Sequence, residues 1–319
     1  MSTADMPPVV LTGASGFVGR HLISLLLAEG TPVRALSRAP RASEGSGIEW
    51  IVGDMKDPSV WERLLVPDCT VVHLAYVPQP SINDAVEVTH TMVTGCAKAR
   101  IRRLIHCSTI SVFGRTAGGS INESTPCNPI DDYGQQKLAI ERTFLGAVNG
   151  RFELAVLRPA AVFGQGGQAL QTLCKSLVYN PGWLNYARSS LFGQRSMHLV
   201  PVENVVAALS FLCQAQRTLQ GDVFIASEDH DSSNTFRCVE QLLMKALQVP
   251  DYPTRPLPLP KSLLPAILRL RGRSEIDPYC TYGSTKLRAW GFVPPLELVP
   301  ALQAFGTRYR DGLSTRESI

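Results

Sequence analysis

Two side chains near the middle of the chain form a pair that could transfer a proton. Tyr133 and Lys137 are four residues apart at the start of a predicted helix, Tyr133–Val148, so their Cβ atoms share a helix face roughly 6 Å apart. A free phenol titrates near ~10, and an adjacent ammonium favours the phenolate and lowers that pKa. The pair predicts a proton donor and acceptor usable near neutral pH, with an exposed helix pair as the alternative.

A second candidate is the hydroxyl-bearing segment 106–114, which follows a predicted strand and ends in glycine. Ligands of an open parallel sheet bind beyond the carboxyl ends of the strands. A hydroxyl of Ser108 or Thr109 could therefore hydrogen-bond a substrate oxygen there. Ordinary turn or capping chemistry is the alternative for both residues.

A glycine-rich stretch near the amino terminus has the layout that holds a dinucleotide pyrophosphate. Its three glycines lie three residues apart, directly after an apolar run and directly before a helical one. The first permits a tight turn, the second lets the backbone approach phosphate, and the third lets the helix pack closely on the sheet. The pyrophosphate would lie at the positive end of that helix. We expect the binding segment to comprise Gly13, Ser15, Gly16, Phe17, Val18 and Gly19.

Strand-like and helical runs alternate through the first half of the chain, which indicates βαβ units and a parallel sheet covered on both faces. We predict an α/β protein with a doubly wound Rossmann-type parallel sheet over residues 1–165. A smaller C-terminal substrate-binding lobe is expected over 166–319, with some elements that return to the sheet. The predicted strands are Val9–Leu11, Pro32–Leu36, Glu49–Val52, Thr70–Leu74, Leu104–Cys107 and Glu153–Leu157, and the predicted helices are Phe17–Ala28, Ser59–Leu65, Ser81–Ala99 and Tyr133–Val148.

The composition limits the classes of function. The chain has 31 basic and 27 acidic residues and a net charge of +4, too mild to predict nucleic-acid binding. Its eight cysteines include no C-x-x-C pair and no Cys/His cluster with metal-ligand spacing, so we expect a reduced, cytoplasmic protein without a metal. Neither a signal-peptide pattern nor a bilayer-length apolar run is seen, so no membrane partner is expected.

Several blocks in a fixed order resemble the extended short-chain dehydrogenase/reductase superfamily, and within it the nucleotide-sugar branch of the NAD-dependent epimerase/dehydratase family. They are Thr-Gly-Ala-Ser-Gly-Phe-Val-Gly at 12–19, Ser-Thr-Ile-Ser-Val-Phe-Gly at 108–114, Tyr-Gly-Gln-Gln-Lys at 133–137 and Leu-Arg-Pro-Ala-Ala-Val-Phe-Gly at 157–164. The resemblance implies hydride transfer between a nicotinamide and a carbinol or ketone carbon. It also implies a homodimer that packs two long helices, here Ser81–Ala99 and Tyr133–Val148.

The resemblance also implies roles for individual residues. Five residues before Gly114, the family's catalytic hydroxyl falls on Thr109, with Ser108 as a neighbouring substrate contact. Tyr133 would be the acid/base, and Lys137 its partner and a ligand of the nicotinamide ribose. Further cofactor positions implied in this way are Asp54, next to the adenine, and Leu74 and Ala75 at the end of the fourth strand.

The end of the second predicted strand favours one cofactor over another. Chains that bind NAD usually place an acid there for the ribose 2′-hydroxyl. This chain has Ser37 at about that position, with Arg38 next and Arg34 three residues before. A cation and a hydroxyl suit a 2′-phosphate better, so we predict NADP(H) over NAD(H). Solvated surface arginines are the alternative interpretation.

The substrate class stays open. Thr109-Ile110-Ser111 lacks the Thr-Asp-Glu acids that the resemblance associates with 4,6-dehydration, which leaves C4 epimerisation or 4-keto reduction of a nucleotide sugar. Ala161 stands where many nucleotide-sugar members carry Asn, so a reductase of an apolar ketone, of the dihydroflavonol or 3β-hydroxysteroid type, is the alternative. A non-catalytic, redox-sensing NAD(P) binder is a third hypothesis.

The block at 193–205 contains the remaining substrate candidate. This block resembles a segment of the same family, and the resemblance implies Arg195 as a ligand of a substrate diphosphate, whereas His198 is more typical of a structural histidine. Three further arginines, Arg269, Arg271 and Arg273, form a basic cluster that is either a solvated face or a second phosphate contact.

Overall fold

Two compact units make up the chain. The first comprises Met1–Gly114, Cys127–Pro159 and Val205–Ile225, and the second comprises Arg115–Pro126, Ala160–Asn204 and Ala226–Ile319. The computed structural model describes residues 6–41, 47–116, 118–147, 150–258, 260 and 277–317; the arginine cluster at 269, 271 and 273 lies outside them. The division predicted at residue 165 is simpler than this one, because the chain enters each unit more than once.

The first unit contains a seven-stranded parallel sheet. Its strands are β1 (Val9–Thr12), β2 (Val33–Ser37), β3 (Ile48–Val52), β4 (Thr70–His73), β5 (Arg103–Cys107), β7 (Glu153–Pro159) and β10 (Gln220–Ala226). They lie side by side in the order β10-β7-β5-β4-β1-β2-β3. Its helices are α1 (Phe17–Ala28), α2 (Pro58–Leu64), α3 (Ile82–Ala99), α4 (Asp132–Ala147) and α7 (Val202–Gln214), the last of which begins just before the unit boundary.

The central strands of this sheet are buried on both faces. All four residues of β1 and all five of β5 are buried, as expected for strands covered by helices on either side. Helix α2 contributes Val60, Trp61 and Leu64 to a core that also contains Leu104 of β5 and Phe144 of α4. The predicted doubly wound Rossmann-type fold is confirmed.

The strand order reverses between β1 and β4, and this reversal positions the ligand site. Strands β2 and β3 continue the sheet on one side of β1, while β5 and β7 continue it beyond β4. Thr12 is the register partner of His73, so the carboxyl ends of β1 and β4 meet at one edge. Ligands of open α/β sheets bind in the crevice at such a point.

The second unit is built from helices and two small sheets. The elements are β6 (Ser120–Ile121), β8 (Ala161–Phe163), α5 (Gln171–Tyr179), α6 (Gly182–Phe192), β9 (Leu199–Pro201), α8 (Phe236–Leu247), β11 (Thr281–Tyr282), α9 (Thr285–Ala289) and α10 (Leu298–Glu317). The core of the unit packs α8 against α10, with Leu243 and Leu302 fully buried. The small sheets pair β8 with β9 and β6 with β11, both in parallel.

Candidate active site

The turn between β1 and α1 requires glycine at position 13. Gly13 has φ +70°, a conformation that L side chains rarely adopt. A Cβ atom at this residue would lie 2.6 Å from the backbone nitrogen of Ala75, at the end of β4. The missing side chain therefore lets two strand ends approach each other at the crevice.

The amino terminus of α1 lies directly after this turn and is suited to bind an anion. A Cβ atom on Gly19 would collide with the carbonyl oxygens of Gly13 and Ala14, so glycine lets the helix pack against the turn. The helix begins at Phe17, and no side chain caps its first residues. Uncapped N–H groups and the positive end of the helix dipole attract phosphate. The segment fits a dinucleotide pyrophosphate on these two grounds.

A cavity of about 560 Å³ opens at this crevice. Eight of the residues predicted to contact the cofactor line it: Gly13, Ser15, Gly16, Ser37, Arg38, Asp54, Leu74 and Ala75. Phe17, Val18 and Gly19 do not line it and form the first turn of α1. Sequence reasoning missed Lys56 and the segment 76–80, which also line the cavity. The position of Lys56, two residues after Asp54, was a usable signal for a second cation.

Arg34 does not reach the cavity. Its guanidinium forms an ion pair with Glu49 of β3 at 2.5 Å and donates hydrogen bonds to the carbonyl oxygens of Arg63 and Leu64. These contacts hold the side chain against the end of α2. The structure therefore separates Arg34 from Ser37 and Arg38, with which the sequence grouped it.

The other predicted residues at this end have different degrees of freedom. The Ser37 hydroxyl donates to the Ala39 carbonyl oxygen at 2.7 Å, and Asp54 accepts from the Lys56 N–H at 2.9 Å. Both side chains thus stabilise turns. Arg38 is exposed, and among the described residues it forms no ion pair. Its guanidinium can turn towards an anionic ligand.

The three predicted catalytic residues come together at the carboxyl end of β5. Thr109 accepts a hydrogen bond from the Ser111 N–H at 3.1 Å, which begins a short 3₁₀ helix, Ile110–Val112. The Thr109 side chain also interacts with the Tyr133 phenol and lowers its pKa, while the Thr109 hydroxyl lies 3.2 Å from the Ser111 hydroxyl. Lys137, one turn further along α4, donates from Nζ to the Cys107 carbonyl oxygen at 2.7 Å. The geometry brings a hydroxyl, a phenol and an ammonium to one sheet edge.

The electrostatics of Tyr133 differ from the expectation. Partial burial of the phenol raises its pKa, and the interaction with Thr109 lowers it by less. The expected lowering by Lys137 is not found among the interactions of the described residues; the Lys137 ammonium donates to the Cys107 carbonyl oxygen. Burial in turn lowers the pKa of Lys137. The phenol is therefore a proton donor at neutral pH in this structure.

Ser108 lies beside Thr109 and is almost fully buried. Its N–H donates to the Leu157 carbonyl oxygen at 2.7 Å. Its hydroxyl oxygen has no hydrogen-bond partner among the described residues. A buried hydroxyl without a partner is costly, so this group is available to a ligand.

The predicted substrate residue Arg195 belongs to the second unit. It is exposed, and its backbone is held by hydrogen bonds to Phe192 and Phe236 at 2.8 and 2.9 Å. Its guanidinium forms no ion pair with the described part of the chain. His198 pairs with Asp229 at 2.6 Å, an arrangement typical of a structural histidine. Ala161 lies in β8, where its N–H donates to the His198 carbonyl oxygen at 2.7 Å.

The described residues offer neither a cluster of metal ligands nor a membrane-spanning helix. No group of three or more His, Cys, Asp or Glu side chains there could hold a metal ion. None of the described helices combines the length and the apolar character needed to cross a bilayer.

Fold and site together define a Rossmann-type protein with a crevice at Gly13 that suits a dinucleotide. Beside it lie Thr109, Tyr133 and Lys137, here called the Thr-Tyr-Lys corner. The family model for the NAD dependent epimerase/dehydratase family matches residues 9–226. The chain belongs to this family, and it is an enzyme of the oxidoreductase type.

Known proteins of several kinds are similar to this chain. It is 28% identical over 293 residues to a UDP-glucose 4-epimerase of Vibrio cholerae, which covers 86% of this chain and 87% of that protein. It is 25% identical over 280 residues to sterol demethylase protein B of Methylococcus capsulatus, with 83% and 81% covered. The solved UDP-glucuronic acid 4-epimerase of Bacillus cereus, in complex with NAD, has a similar fold, with a TM-score of 0.72, 18% identity, and 97% and 98% covered.

Proposed function

We propose that the protein is an NAD(P)-dependent oxidoreductase that reduces the 4-keto group or inverts C4 of a nucleotide sugar. One observation carries the proposal: the Thr109 side chain, the Tyr133 phenol and the Lys137 ammonium come together at the carboxyl end of β5, where Lys137 donates to the Cys107 carbonyl oxygen. The same unit contains the glycine turn and the uncapped helix that suit a dinucleotide. Proton and hydride chemistry are thus supported at one sheet edge.

The residues divide the chemistry between them. The nicotinamide cofactor, when bound, supplies or accepts the hydride. Tyr133 gives its proton to the substrate oxygen during reduction and takes it back during oxidation. Thr109 interacts with the phenol and would orient it. Lys137 would also bind the nicotinamide ribose; within the described residues its ammonium donates to the Cys107 carbonyl oxygen. Ser108 offers the substrate a hydroxyl that has no hydrogen-bond partner among the described residues.

The cofactor is proposed to be NADP(H) rather than NAD(H). Among the described residues, the β2 end of the cavity carries Ser37 and Arg38 and no acid, and Lys56 adds a second cation on the β3 side. A 2′-phosphate gains charge-assisted hydrogen bonds from such groups. Arg34 is left out of this proposal because its donors are already bound within the protein.

Two substrate classes are distinguished by Arg195. The similarity to a UDP-glucose 4-epimerase over 86% of the chain supports a sugar diphosphate, to which an exposed arginine would bind. The similarity to sterol demethylase protein B, together with Ala161 in place of Asn, favours an apolar ketone as the second candidate.

The test is a ligand screen followed by turnover. NADPH and NADH, each with UDP-, GDP- and dTDP-sugars or with steroid and flavonoid ketones, are compared by thermal shift, since specific ligands raise the Tm. For a nucleotide sugar, Arg195→Ala should lower kcat/KM at least tenfold, about 1.4 kcal/mol. The control is Arg188→Ala, an exposed arginine of α6. Turnover of apolar ketones alone, unaffected by Arg195→Ala, would contradict the sugar assignment.

The assembly is proposed to be a homodimer in the cytoplasm. An open groove of about 580 Å³ runs along α3 and α4, and Ile82 beside it is 42% exposed. All eight cysteines are free thiols, which suits a reducing compartment. Sedimentation should give twice the chain mass for the wild type and one chain mass for Ala139→Glu, which places a charge in the groove. A monomeric wild type would contradict the dimer.

A further inference from the structure

The segment that follows β4 contains a tyrosine that touches both proton-transferring residues. The ring of Tyr76 meets the ring of Tyr133 edge to face, with centroids 4.8 Å apart and an interplanar angle of 90°. The Lys137 ammonium lies 5.8 Å from the centroid of the Tyr76 ring. Edge-to-face aromatic pairs and cation–π contacts are both attractive. One side chain therefore contacts the phenol and the ammonium together.

A glutamine between the two catalytic positions holds Tyr76 in place. The Oε1 atom of Gln136 accepts from the Tyr76 hydroxyl at 3.2 Å and from the Gln79 N–H at 3.3 Å. Its Nε2 atom donates to the Gln79 carbonyl oxygen at 2.8 Å. Gln136 is buried, so these bonds are shielded from competing water. Three bonds from one amide fix the segment 76–79 to α4.

Helical spacing explains why one segment can serve both residues. Tyr133, Gln136 and Lys137 stand at positions i, i+3 and i+4 of one helix, which share a face. The fixed segment lies across that face and presents the Tyr76 ring to the two outer positions. The ring restricts the rotamers of the half-exposed Tyr133, and its electron-rich face adds a partner to the buried Lys137.

We propose that Tyr76, fixed by Gln136, is a positioning residue that holds Tyr133 and Lys137 in the geometry for proton transfer. This inference rests on the proposed function. It gives a role to Tyr76, which the roles of Gly13, Thr109, Tyr133 and Lys137 do not explain. Small displacements of reacting groups cost large factors in rate, so the effect should fall on kcat rather than on substrate affinity.

The kinetic test separates the ring from the hydroxyl. Tyr76→Leu should lower kcat about tenfold with KM within a factor of about two. Tyr76→Phe retains the ring and should lose less than about threefold. Gln136→Leu should lower kcat between these limits, and the double variant Tyr76→Leu/Gln136→Leu no further than Tyr76→Leu alone. Tyr179, 59% exposed in α5, supplies matched Leu and Phe controls.

A second readout does not depend on activity. In protein with labelled tyrosines, the ring signal of Tyr133, assigned with Tyr133→Phe, should shift in Tyr76→Leu through loss of the neighbouring ring current and stay in place in Tyr76→Phe. If Tyr133→Phe is inactive and Tyr76→Leu turns over like the wild type, the positioning role is overturned and the proposed function stands. If Tyr133→Phe is fully active, the proposed function fails. The ring signal tests the contact between Tyr76 and Tyr133 in either case: a signal that does not shift in Tyr76→Leu overturns this contact, and a shifted signal supports it.

Discussion

The two ends of the cofactor cavity differ in what forms them: backbone at one end and exposed side chains at the other. At the glycine end, Gly13 and Gly16 form the wall, and added side chain atoms at Gly13 would collide with backbone. At the strand end, the exposed side chains of Arg38 and Lys56 follow β2 and β3. Backbone geometry tolerates little change, whereas an exposed side chain can be exchanged. The glycine end should therefore decide whether a dinucleotide binds, and the strand end which one.

The largest effect should come from the glycine end. Gly13→Ala places a Cβ atom 2.6 Å from the Ala75 nitrogen and should weaken NADPH and NADH binding at least about 100-fold, or 2.7 kcal/mol. Gly30→Ala is the matched control, because Gly30 has φ +71° and open space around it. It should lower stability by about 1–2 kcal/mol for the positive φ alone and leave affinity unchanged. Cofactor fluorescence measures the affinity, and thermal melts measure the stability. Equal cofactor binding by the two variants would refute the steric explanation.

The catalytic corner should respond to pH in one direction. Partial burial raises the pKa of Tyr133 above its usual value near ~10. The proton donor is present below the raised pKa and is lost as pH rises through it. The kcat of the reductive direction should stay flat between about pH 7 and 9 and fall only at higher pH. A loss of reductive activity that begins near pH 7, with protein and cofactor stable, would show that the phenol titrates much lower.

A smaller and more selective effect is expected at the strand end. Arg38→Ala should weaken NADPH about tenfold, or 1.4 kcal/mol, because a single exposed ionic contact is lost. NADH lacks the 2′-phosphate and should bind as before. Arg102→Ala is the control, since Arg102 is exposed just before β5 and therefore lies at the amino-terminal ends of the strands, whereas the cavity lies at their carboxyl ends. If Arg38→Ala weakens both cofactors equally, this residue does not select between them.

The smallest effect on cofactor affinity should follow from Arg34. Replacement by Met removes its ion pair with Glu49 and its hydrogen bonds to the carbonyl oxygens of Arg63 and Leu64, and should lower the free energy of unfolding by about 1–2 kcal/mol. The affinity for both cofactors should not change. Denaturant unfolding and cofactor titration check the two statements. A selective loss of NADPH affinity would return Arg34 to the cofactor site.

The same contrast explains what the sequence could predict. Gly13 and Gly19 were identifiable because glycines at this spacing after an apolar run predict a tight turn and a closely packed helix. The ends of the six predicted strands lie within two residues of the ends of β1, β2, β3, β4, β5 and β7. Arg34 was grouped with Ser37 by proximity in sequence. In a strand, however, residues three apart point to opposite faces, and here Arg34 meets the end of α2.

Long-range contacts were beyond the reach of local patterns. The spacing of Tyr133 and Lys137 indicated a shared helix face, but only the fold brings the Cys107 carbonyl oxygen to the ammonium. The pairing of β6 with β11 joins residues about 160 positions apart and places the segment 115–126 in the second unit. Neither event leaves a signal in the neighbouring sequence, because each depends on partners distant along the chain.

The central claim is that Tyr133 transfers the proton that accompanies hydride transfer. The most direct measurement is the single-turnover rate of NADPH oxidation, followed by absorbance, for the wild type, Tyr133→Phe and the exposed control Tyr179→Phe. Tyr133→Phe should react at least about 100-fold more slowly with unchanged NADPH affinity, while Tyr179→Phe reacts like the wild type. A wild-type rate in Tyr133→Phe would contradict the account.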